Sequence, residues 1–207
     1  MSVAYSDVRY WNNRYSETPD STFDWYTKYS AIKELIVPRL SEKSRILVVG
    51  SGNSLLSASL YDEGYQNITN IDISDIVVEQ MNQKFADRPG MQWANMDARK
   101  LDFPSESFDV VIDKGCLDCL FTGTHSYQNV GLCLKALRAW SREPYVPIRS
   151  PCAAPGFEMH LSRIAHTKTG RAETSSSHHM SGPMQRCELL YPRSCGKFNS
   201  CGQDGRP

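Results

Sequence analysis

The chain has 207 residues, enough for one ordinary domain, or for one domain and a long tail. Its 23 lysine and arginine residues balance its 23 aspartate and glutamate residues, so no surplus of positive charge favours a nucleic-acid partner. No apolar run approaches the roughly 20 residues that cross a bilayer, and the polar N-terminus lacks a secretion-signal pattern. These features predict a cytoplasmic protein that binds neither nucleic acid nor membrane. They leave the oligomeric state open.

Strand-like and helix-like stretches alternate along the first 139 residues. The patterns predict helices over residues 7–15, 25–40, 53–63, 75–86 and 126–138, and strands over residues 45–49, 67–73, 91–96 and 108–113. In the 75–86 helix, Val77, Met81 and Phe85 fall on one face, and the last strand, "FDVVID", is apolar enough to be buried on both faces. This alternation predicts an α/β fold in which helices cover both faces of a parallel sheet.

The chain changes character near residue 139. Prolines at positions 144, 147, 151 and 155 and the run "TSSSHHMSG" replace any sustained helical or strand period. We therefore divide the chain into a domain of residues 1–139, in which strands 1 to 4 are recognisable, and a disordered or unrelated tail of residues 140–207.

The seven cysteines do not predict a metal site. Cys116 and Cys119 form a C-x-x-C pair, which fits either a redox site or half of a zinc site. A redox pair needs its first sulfur at a helix N-terminus, and a four-thiolate zinc site needs a second C-x-x-C, which the chain lacks. We interpret both residues as reduced thiols in or near the core. The metal-ligating residue types of the tail have no recognisable ligand spacing: Cys187, Cys195, Cys201, His178 and His179.

The first predicted strand runs into a turn with two glycines, Gly50 and Gly52. Ligands on parallel sheets bind beyond the carboxyl ends of the strands, and a dinucleotide fingerprint would place its third glycine at position 55. Because Leu55 stands there, the sequence disfavours a phosphate-bearing dinucleotide. Two close glycines still let the backbone approach a nucleoside, and the alternative is a tight turn without a ligand.

The other strand ends carry charged side chains. Asp72, 20 residues after Gly52, either accepts both ribose hydroxyls or caps the following helix, for which Ser74 and Asp75 are better placed. Asp97 either accepts from an exocyclic amine such as that of adenine or is a solvated loop residue. Lys114 either binds a cofactor carboxylate or is solvated. Together with the glycine turn, these groups predict a nucleoside-binding edge of the sheet.

Five stretches resemble a known family: "YWNNRY", "FDWY", "ILVVGSGNS", "NIDIS" and "MDARKLDFPSESFDVVIDKGCLD". They are similar to the seven-strand S-adenosylmethionine-dependent methyltransferases of the methyltransferase-like group that act on lysines of eukaryotic elongation factor 1-alpha. The resemblance covers residues 5–125 and implies a Rossmann-like sheet, S-adenosylmethionine as cofactor and elongation factor 1-alpha as protein substrate. It also implies a set of cofactor contacts: Trp11, Tyr15, Trp25, Gly50, Asp72, Ile73, Asp97, Ala98 and Lys114.

The aromatic residues before the sheet have two interpretations. Aromatic clusters often close off a core, but their faces also attract a cation such as a sulfonium. The resemblance favours a cofactor lid. No catalytic base is assigned, because Asp113 and Asp118 lie near the appropriate strand end and either one is as well suited to a structural hydrogen bond.

The family continues with further strands, for which no pattern follows "LCLKALRAW" in this chain. The resemblance therefore places the fourth strand at an exposed edge of an incomplete sheet, where its "VVI" run would favour aggregation. The tail has the character of an alternative splice end or a shifted reading frame. A protein-lysine methyltransferase is the favoured interpretation. The alternatives are a nicotinamide-dependent oxidoreductase, disfavoured by Leu55, and a catalytically inactive fragment that binds only cofactor or a partner.

Overall fold

The computed structural model describes residues 5–141 and 146–148, the last three by their backbone only. Within these residues the chain forms five strands: β1 (Ile46–Val49), β2 (Ile68–Asp72), β3 (Met91–Asn95), β4 (Val110–Lys114) and β5 (Val146–Ile148). The strands form one sheet in the order β3-β2-β1-β4-β5, and every neighbouring pair is parallel. The predicted parallel α/β sheet is confirmed.

The described residues also form six α-helices: α1 (Val8–Glu17), α2 (Tyr29–Ile36), α3 (Leu56–Asp62), α4 (Asp75–Lys84), α5 (Cys116–Phe121) and α6 (Ser126–Trp140). A 3₁₀ turn, Val37–Arg39, extends α2. Side-chain caps fix two of the starts, since the Asp7 carboxylate accepts from the Arg9 amide at 2.9 Å and the Ser74 hydroxyl accepts from the Val77 amide at 3.4 Å. Ser74 therefore caps α4, as the sequence indicated.

The central strand β1 divides the core into two layers. Ile46 and Val48 pack with residues of α1 to α4, whereas Leu47 and Val49 pack with residues of α5 and α6. Successive side chains of a strand point to opposite faces, so one short run supplies both cores. Helices on both faces are the predicted arrangement.

The predicted burial patterns are also present. Val77 and Met81 of α4 are buried, and Phe85 packs against the same core cluster. All five residues of β4 are buried. Because β4 lies beside β1, both of its faces are covered by helices.

Two predicted helix starts are wrong, and one helix near the site was not predicted. Residues 25–28 are not helical, because Tyr26 adopts a left-handed φ of 66° and α2 begins only at Tyr29. Helix α3 begins at Leu56 rather than at residue 53, and the Ser54 hydroxyl accepts from the Leu56 amide at 3.1 Å. The six-residue α5 was not predicted.

The expectation that β4 lies at the edge of the sheet is wrong. Strand β5 pairs with it, with Ile112 opposite Val146 and Lys114 opposite Ile148. Three residues are too few to show a strand period, and Pro147 argues against a strand by sequence alone. Proline lacks the amide proton that an inner strand donates, so it is tolerated where a strand has a neighbour on one side only. The rest of the predicted tail, and the assignment of its cysteines and histidines, lie outside the described residues.

The order of the strands creates a crevice. From β3 the chain crosses over β2 and β1 to form β4 on the far side of β1. Connections after β1 and β4 therefore leave the sheet in different directions, and a crevice opens between their carboxyl ends. Among the described residues no helix is long and apolar enough to cross a membrane.

Candidate functional site

A cavity lies at the carboxyl ends of β1, β2 and β4 and contains about 960 Å³ of empty space, part of it open to solvent. All nine residues that the sequence suggested as cofactor contacts line it: Trp11, Tyr15, Trp25, Gly50, Asp72, Ile73, Asp97, Ala98 and Lys114. The fold thus brings together positions that are more than 100 residues apart, although their binding role stays a prediction.

The floor of the cavity is the glycine turn after β1. Gly50 has a φ of 58° and Gly52 a φ of 52°, both in the left-handed region that favours glycine. A Cβ on Gly50 would lie 2.7 Å from the Cβ of Cys116, and one on Gly52 would lie 2.6 Å from the Tyr15 hydroxyl. The turn therefore needs glycine for its backbone conformation and for close packing.

Asp72 at the end of β2 is almost fully buried and organises this turn. Its Oδ2 accepts from the Gly52 amide at 2.9 Å, and its Oδ1 accepts from the Ser74 amide at 3.0 Å. Burial raises the pKa of the Asp72 carboxyl, although the backbone hydrogen bonds oppose the shift. Each oxygen keeps a second lone pair, so the carboxylate still has capacity for two further donors.

Asp97 is not a freely solvated loop residue. The guanidinium of Arg99 donates to both of its oxygens, with the shortest distance 2.6 Å, and the Arg99 amide donates to Oδ1 at 2.9 Å. Burial raises the pKa of the Asp97 carboxyl, but the bonds from Arg99 outweigh it, and the net pKa lies below its ordinary value. Since Arg99 occupies most of the lone pairs, an adenine amine would have to share them.

Lys114 is buried instead of solvated, and its ammonium is already paired. Nζ donates to Oδ1 of Asp24 at 2.9 Å and to the carbonyl oxygen of Trp25 at 3.3 Å. The side chains of Lys114 and Asp24 are 5% and 16% exposed. Burial lowers the pKa of Lys114, and the hydrogen bond that its ammonium donates to Asp24 opposes this shift. The lysine thus joins the end of β4 to the segment before α2.

Aromatic rings from two N-terminal segments form one wall of the cavity. Trp11 and Tyr15 of α1 stack with centroids 5.8 Å apart, and Trp25 meets Trp11 edge-on at 6.3 Å. The Trp11 indole donates to the carbonyl oxygen of Tyr5 at 2.7 Å, which fixes its ring. Trp11 and Tyr15 belong to the buried core, whereas Trp25 and the exposed Phe23 lie nearer the opening. Both sequence interpretations therefore hold in part, because the wall closes the core and lines the cavity.

The two carboxylates considered as catalytic bases are in different surroundings. Asp113 is fully buried and accepts from the amides of Cys116 and Leu117 at 2.8 and 3.3 Å, so it caps the start of α5. Asp118 is half-buried and accepts from the Tyr26 hydroxyl at 3.0 Å. Asp113 thus has the structural role, and Asp118 is the one that reaches solvent beside the cavity.

The C-x-x-C pair consists of free thiols. Cys116 begins α5, the position that a redox pair would need, but burial raises its pKa well above the ordinary value, so the reactive thiolate is disfavoured. Burial likewise raises the pKa of Cys119 to about 12. Both residues line the cavity. In the part of the chain that the structure describes, no group of three or more histidine, cysteine or acidic side chains is arranged to hold a metal ion.

Two polar residues of the site were not among the predicted site residues. Asp24 pairs with a lysine 90 residues away, which no spacing rule reveals. Ser51 lies in the glycine turn, and its hydroxyl is buried beside the cavity without a hydrogen-bond partner. An unsatisfied buried hydroxyl is uncommon, and at a cavity it indicates a place for a ligand atom or a water molecule. Its position between the two glycines was the available signal.

Sequence comparison agrees with this geometry. Residues 46–137 match the family described as methyltransferase domain. The Haemonchus contortus phosphoethanolamine N-methyltransferase 1, solved with phosphoethanolamine and S-adenosylhomocysteine, superposes with a TM-score of 0.54 at 16% identity and covers 88% of this chain and 38% of its own. A TehB-like SAM-dependent methyltransferase from Corynebacterium glutamicum superposes with a TM-score of 0.52 at 16% identity, over 76% of this chain and 81% of its own. The chain therefore has the fold of S-adenosylmethionine-dependent methyltransferases, and its residues 46–137 are similar to a methyltransferase domain.

Two proteins are more similar to this chain in sequence. EEF1A lysine methyltransferase 4 of Mus musculus is 42% identical over 127 residues, which are 61% of this chain and 50% of that protein. The eEF1A lysine and N-terminal methyltransferase of Mus musculus is 40% identical over 122 residues, which are 58% of this chain and 18% of that protein. The chain thus spans about half the length of the first relative and less than a fifth of the second.

Proposed function

We propose that this chain is a cytoplasmic, S-adenosylmethionine-dependent protein-lysine methyltransferase whose substrate is translation elongation factor 1-alpha. The observation that carries the proposal is the convergence of nine separately placed residues on one cavity at the switch point of a methyltransferase sheet. The identity of about 40% to proteins named as eEF1A lysine methyltransferases supports the choice of substrate. The proposed cofactor site consists of the nine residues named above, of which Lys114 acts through the segment that it holds, because its ammonium is already paired with Asp24.

The residues present fit this cofactor. The glycine turn lines the cavity, and the unpartnered hydroxyl of Ser51 offers a hydrogen bond beside it. Asp72 keeps lone pairs for the two ribose hydroxyls. The rings of Trp11 and Trp25 present faces that attract a cation. S-adenosylmethionine, when bound, supplies a methyl group activated by its positive sulfur.

The proposed reaction also requires that the substrate lysine be in its neutral form. A free lysine with a pKa near 10.4 is neutral in only about one molecule in a few thousand at pH 7, which corresponds to about 4–5 kcal/mol. The apolar wall and the buried floor of the cavity lower that cost by disfavouring the charged amine. Asp118 is a partly exposed carboxylate near the end of β4 and is therefore a candidate proton acceptor.

The first experiment is a calorimetric titration with S-adenosylhomocysteine. We expect saturable binding to the unmodified chain and a loss of at least about tenfold in affinity in Asp72→Asn, since a charge-assisted hydrogen bond contributes about 1.5–3 kcal/mol. Asp102→Asn is the matched control, because Asp102 is an exposed aspartate outside the cavity and its replacement should leave affinity unchanged. NAD as competitor tests the oxidoreductase alternative.

The second experiment measures transfer of a labelled methyl group from S-adenosylmethionine to recombinant elongation factor 1-alpha, with mass spectrometry to locate the modified lysine. Transfer that stops with Asp72→Asn and continues with Asp102→Asn supports the enzyme. Binding without transfer to this substrate contradicts the enzymatic proposal and favours a cofactor-binding fragment. Binding of NAD in place of S-adenosylhomocysteine overturns the assignment of the cofactor.

A further inference from the structure

The segment between α1 and α2, residues 18–28, covers one side of the cavity without regular secondary structure. It contributes Phe23 and Trp25 to the cavity wall. Within the segment, two backbone bonds are formed, from the Ser21 amide to Thr18 and from the Thr27 amide to Trp25. So short an irregular segment needs other contacts to hold its aromatic rings in place.

Side chains of the turn after β1 and of the carboxyl end of β4 provide these contacts. The side-chain amide of Asn53 donates to the Ser21 carbonyl oxygen at 2.9 Å, and the Ser54 hydroxyl donates to the Asp24 carboxylate. Lys114 adds the ion pair with Asp24 at 2.9 Å and the bond to the carbonyl oxygen of Trp25. Asp24 therefore joins the 18–28 segment to the turn after β1 and to the end of β4 at once.

The burial of the ion pair makes it different from the surface pairs of this protein. Its side chains are 5% and 16% exposed, compared with 47% and 31% for Lys33 and Glu63. Exposed pairs contribute little, but removal of one partner from a buried pair leaves an uncompensated charge away from water. Next to the pair, Tyr26 is held at a φ of 66°, a strained value for a tyrosine that persists only where surrounding contacts impose it.

We propose that Asp24 is a positioning residue of the cofactor site, which holds Trp25 and Phe23 against the cavity through its ion pair with Lys114. In this arrangement Lys114 serves the site by anchoring the 18–28 segment, since its ammonium is directed to Asp24 and to the backbone of Trp25. The inference rests on the proposed function for the nature of the ligand. The anchoring itself does not depend on that function.

The anchoring is tested by amide hydrogen exchange without any ligand. Asp24→Asn and Lys114→Met should each raise the exchange rate of amides in residues 18–28 by about tenfold or more, because a locally opened segment exchanges faster. The exchange of α6 serves as internal reference. Lys33→Met is the matched control, since it breaks an exposed ion pair that does not line the cavity. It should leave the exchange of the 18–28 segment unchanged.

The route of action is tested by titration of the same variants with S-adenosylhomocysteine. If both residues act through one anchor, each single variant weakens binding about tenfold and Asp24→Asn/Lys114→Met weakens it by a similar factor, well short of the hundredfold expected for independent effects. A loss of affinity in Lys114→Met alone, with exchange unchanged, would mean that the lysine contacts the ligand directly and would overturn the inference.

The double variant also covers the case in which a single variant does not fold. Replacing both members of a buried ion pair by neutral residues is much better tolerated than removing one. A folded double variant whose 18–28 segment is as protected as in the unmodified chain refutes the anchoring. If the unmodified chain does not bind S-adenosylhomocysteine, the proposed function fails, and hydrogen exchange still decides the role of Asp24.

Discussion

Replacement of Gly50 by alanine tests the claim that the glycine turn is fixed by a close approach. The added Cβ would lie 2.7 Å from the Cβ of Cys116 and 2.8 Å from its Sγ, distances that require some atom to move. The residue also has a φ of 58°, which costs an alanine about 1–2 kcal/mol. Overpacking of a well-filled site adds about 1–3 kcal/mol. We expect a total loss of about 2–5 kcal/mol in the free energy of unfolding.

Urea unfolding measures this loss. With a denaturant dependence of about 2 kcal/mol per M, the midpoint should fall by about 1–2.5 M. Gly64→Ala is the matched control for backbone strain, because Gly64 has a φ of 100° and nothing within 4 Å of an added Cβ. Gly131→Ala, in the interior of α6 with the same free space, should stabilise the protein by about 0.5–1 kcal/mol. A midpoint for Gly50→Ala within error of the unmodified chain would refute the close approach.

Three further predictions concern buried polar groups. Ser57→Ala removes the hydroxyl that donates to the buried Asn70, so we expect a loss of about 1–3 kcal/mol in urea unfolding; a change below about 0.5 kcal/mol would contradict it. Because the pKa of Cys119 rises from 9.0 to about 12, its alkylation by iodoacetamide at pH 8 should be about 1,000-fold slower than in urea-unfolded protein, and equal rates would contradict this. The part of the free energy of unfolding that comes from keeping this thiol neutral should be lost as the pH rises from 9 to 12. Because Arg99 lowers the pKa of Asp97, the stability from this pair should be present above about pH 4 and lost as the pH falls through the lowered pKa. The unfolding midpoints of Asp97→Asn and the unmodified chain should therefore differ at pH 7, and the difference should shrink as the pH falls below about 4; a constant difference would contradict this.

Local patterns in the sequence predicted the elements that build the site. Four consecutive apolar residues identified the buried strand β1, and a spacing of four residues identified the buried face of α4. The two close glycines after β1 indicated a turn that needs left-handed backbone angles, which Gly50 and Gly52 both adopt. These features depend on neighbours within one turn or one strand, so the sequence contains all of their causes.

Elements whose shape depends on distant partners were predicted less well. Trp25 was predicted to begin a helix, but α2 begins only at Tyr29. Lys114 donates to the carbonyl oxygen of Trp25 and helps to hold this irregular segment in place. The strand β5 has a proline and three residues, and it exists through its pairing with β4. Its formation follows from backbone groups left free at the edge of β4, a property of the assembled sheet.

The sequence by itself determined the class of fold, the strand ends that face the cavity and the candidate residues there. The tertiary structure alone decided which of those residues have partners. It paired Lys114 with Asp24, bound Asp97 to Arg99, used Asp113 as a helix cap and left the hydroxyl of Ser51 unsatisfied. The reason is physical: a period along the chain reports burial and backbone conformation, whereas the partner of a charged side chain is set by which strand ends and connections meet in space.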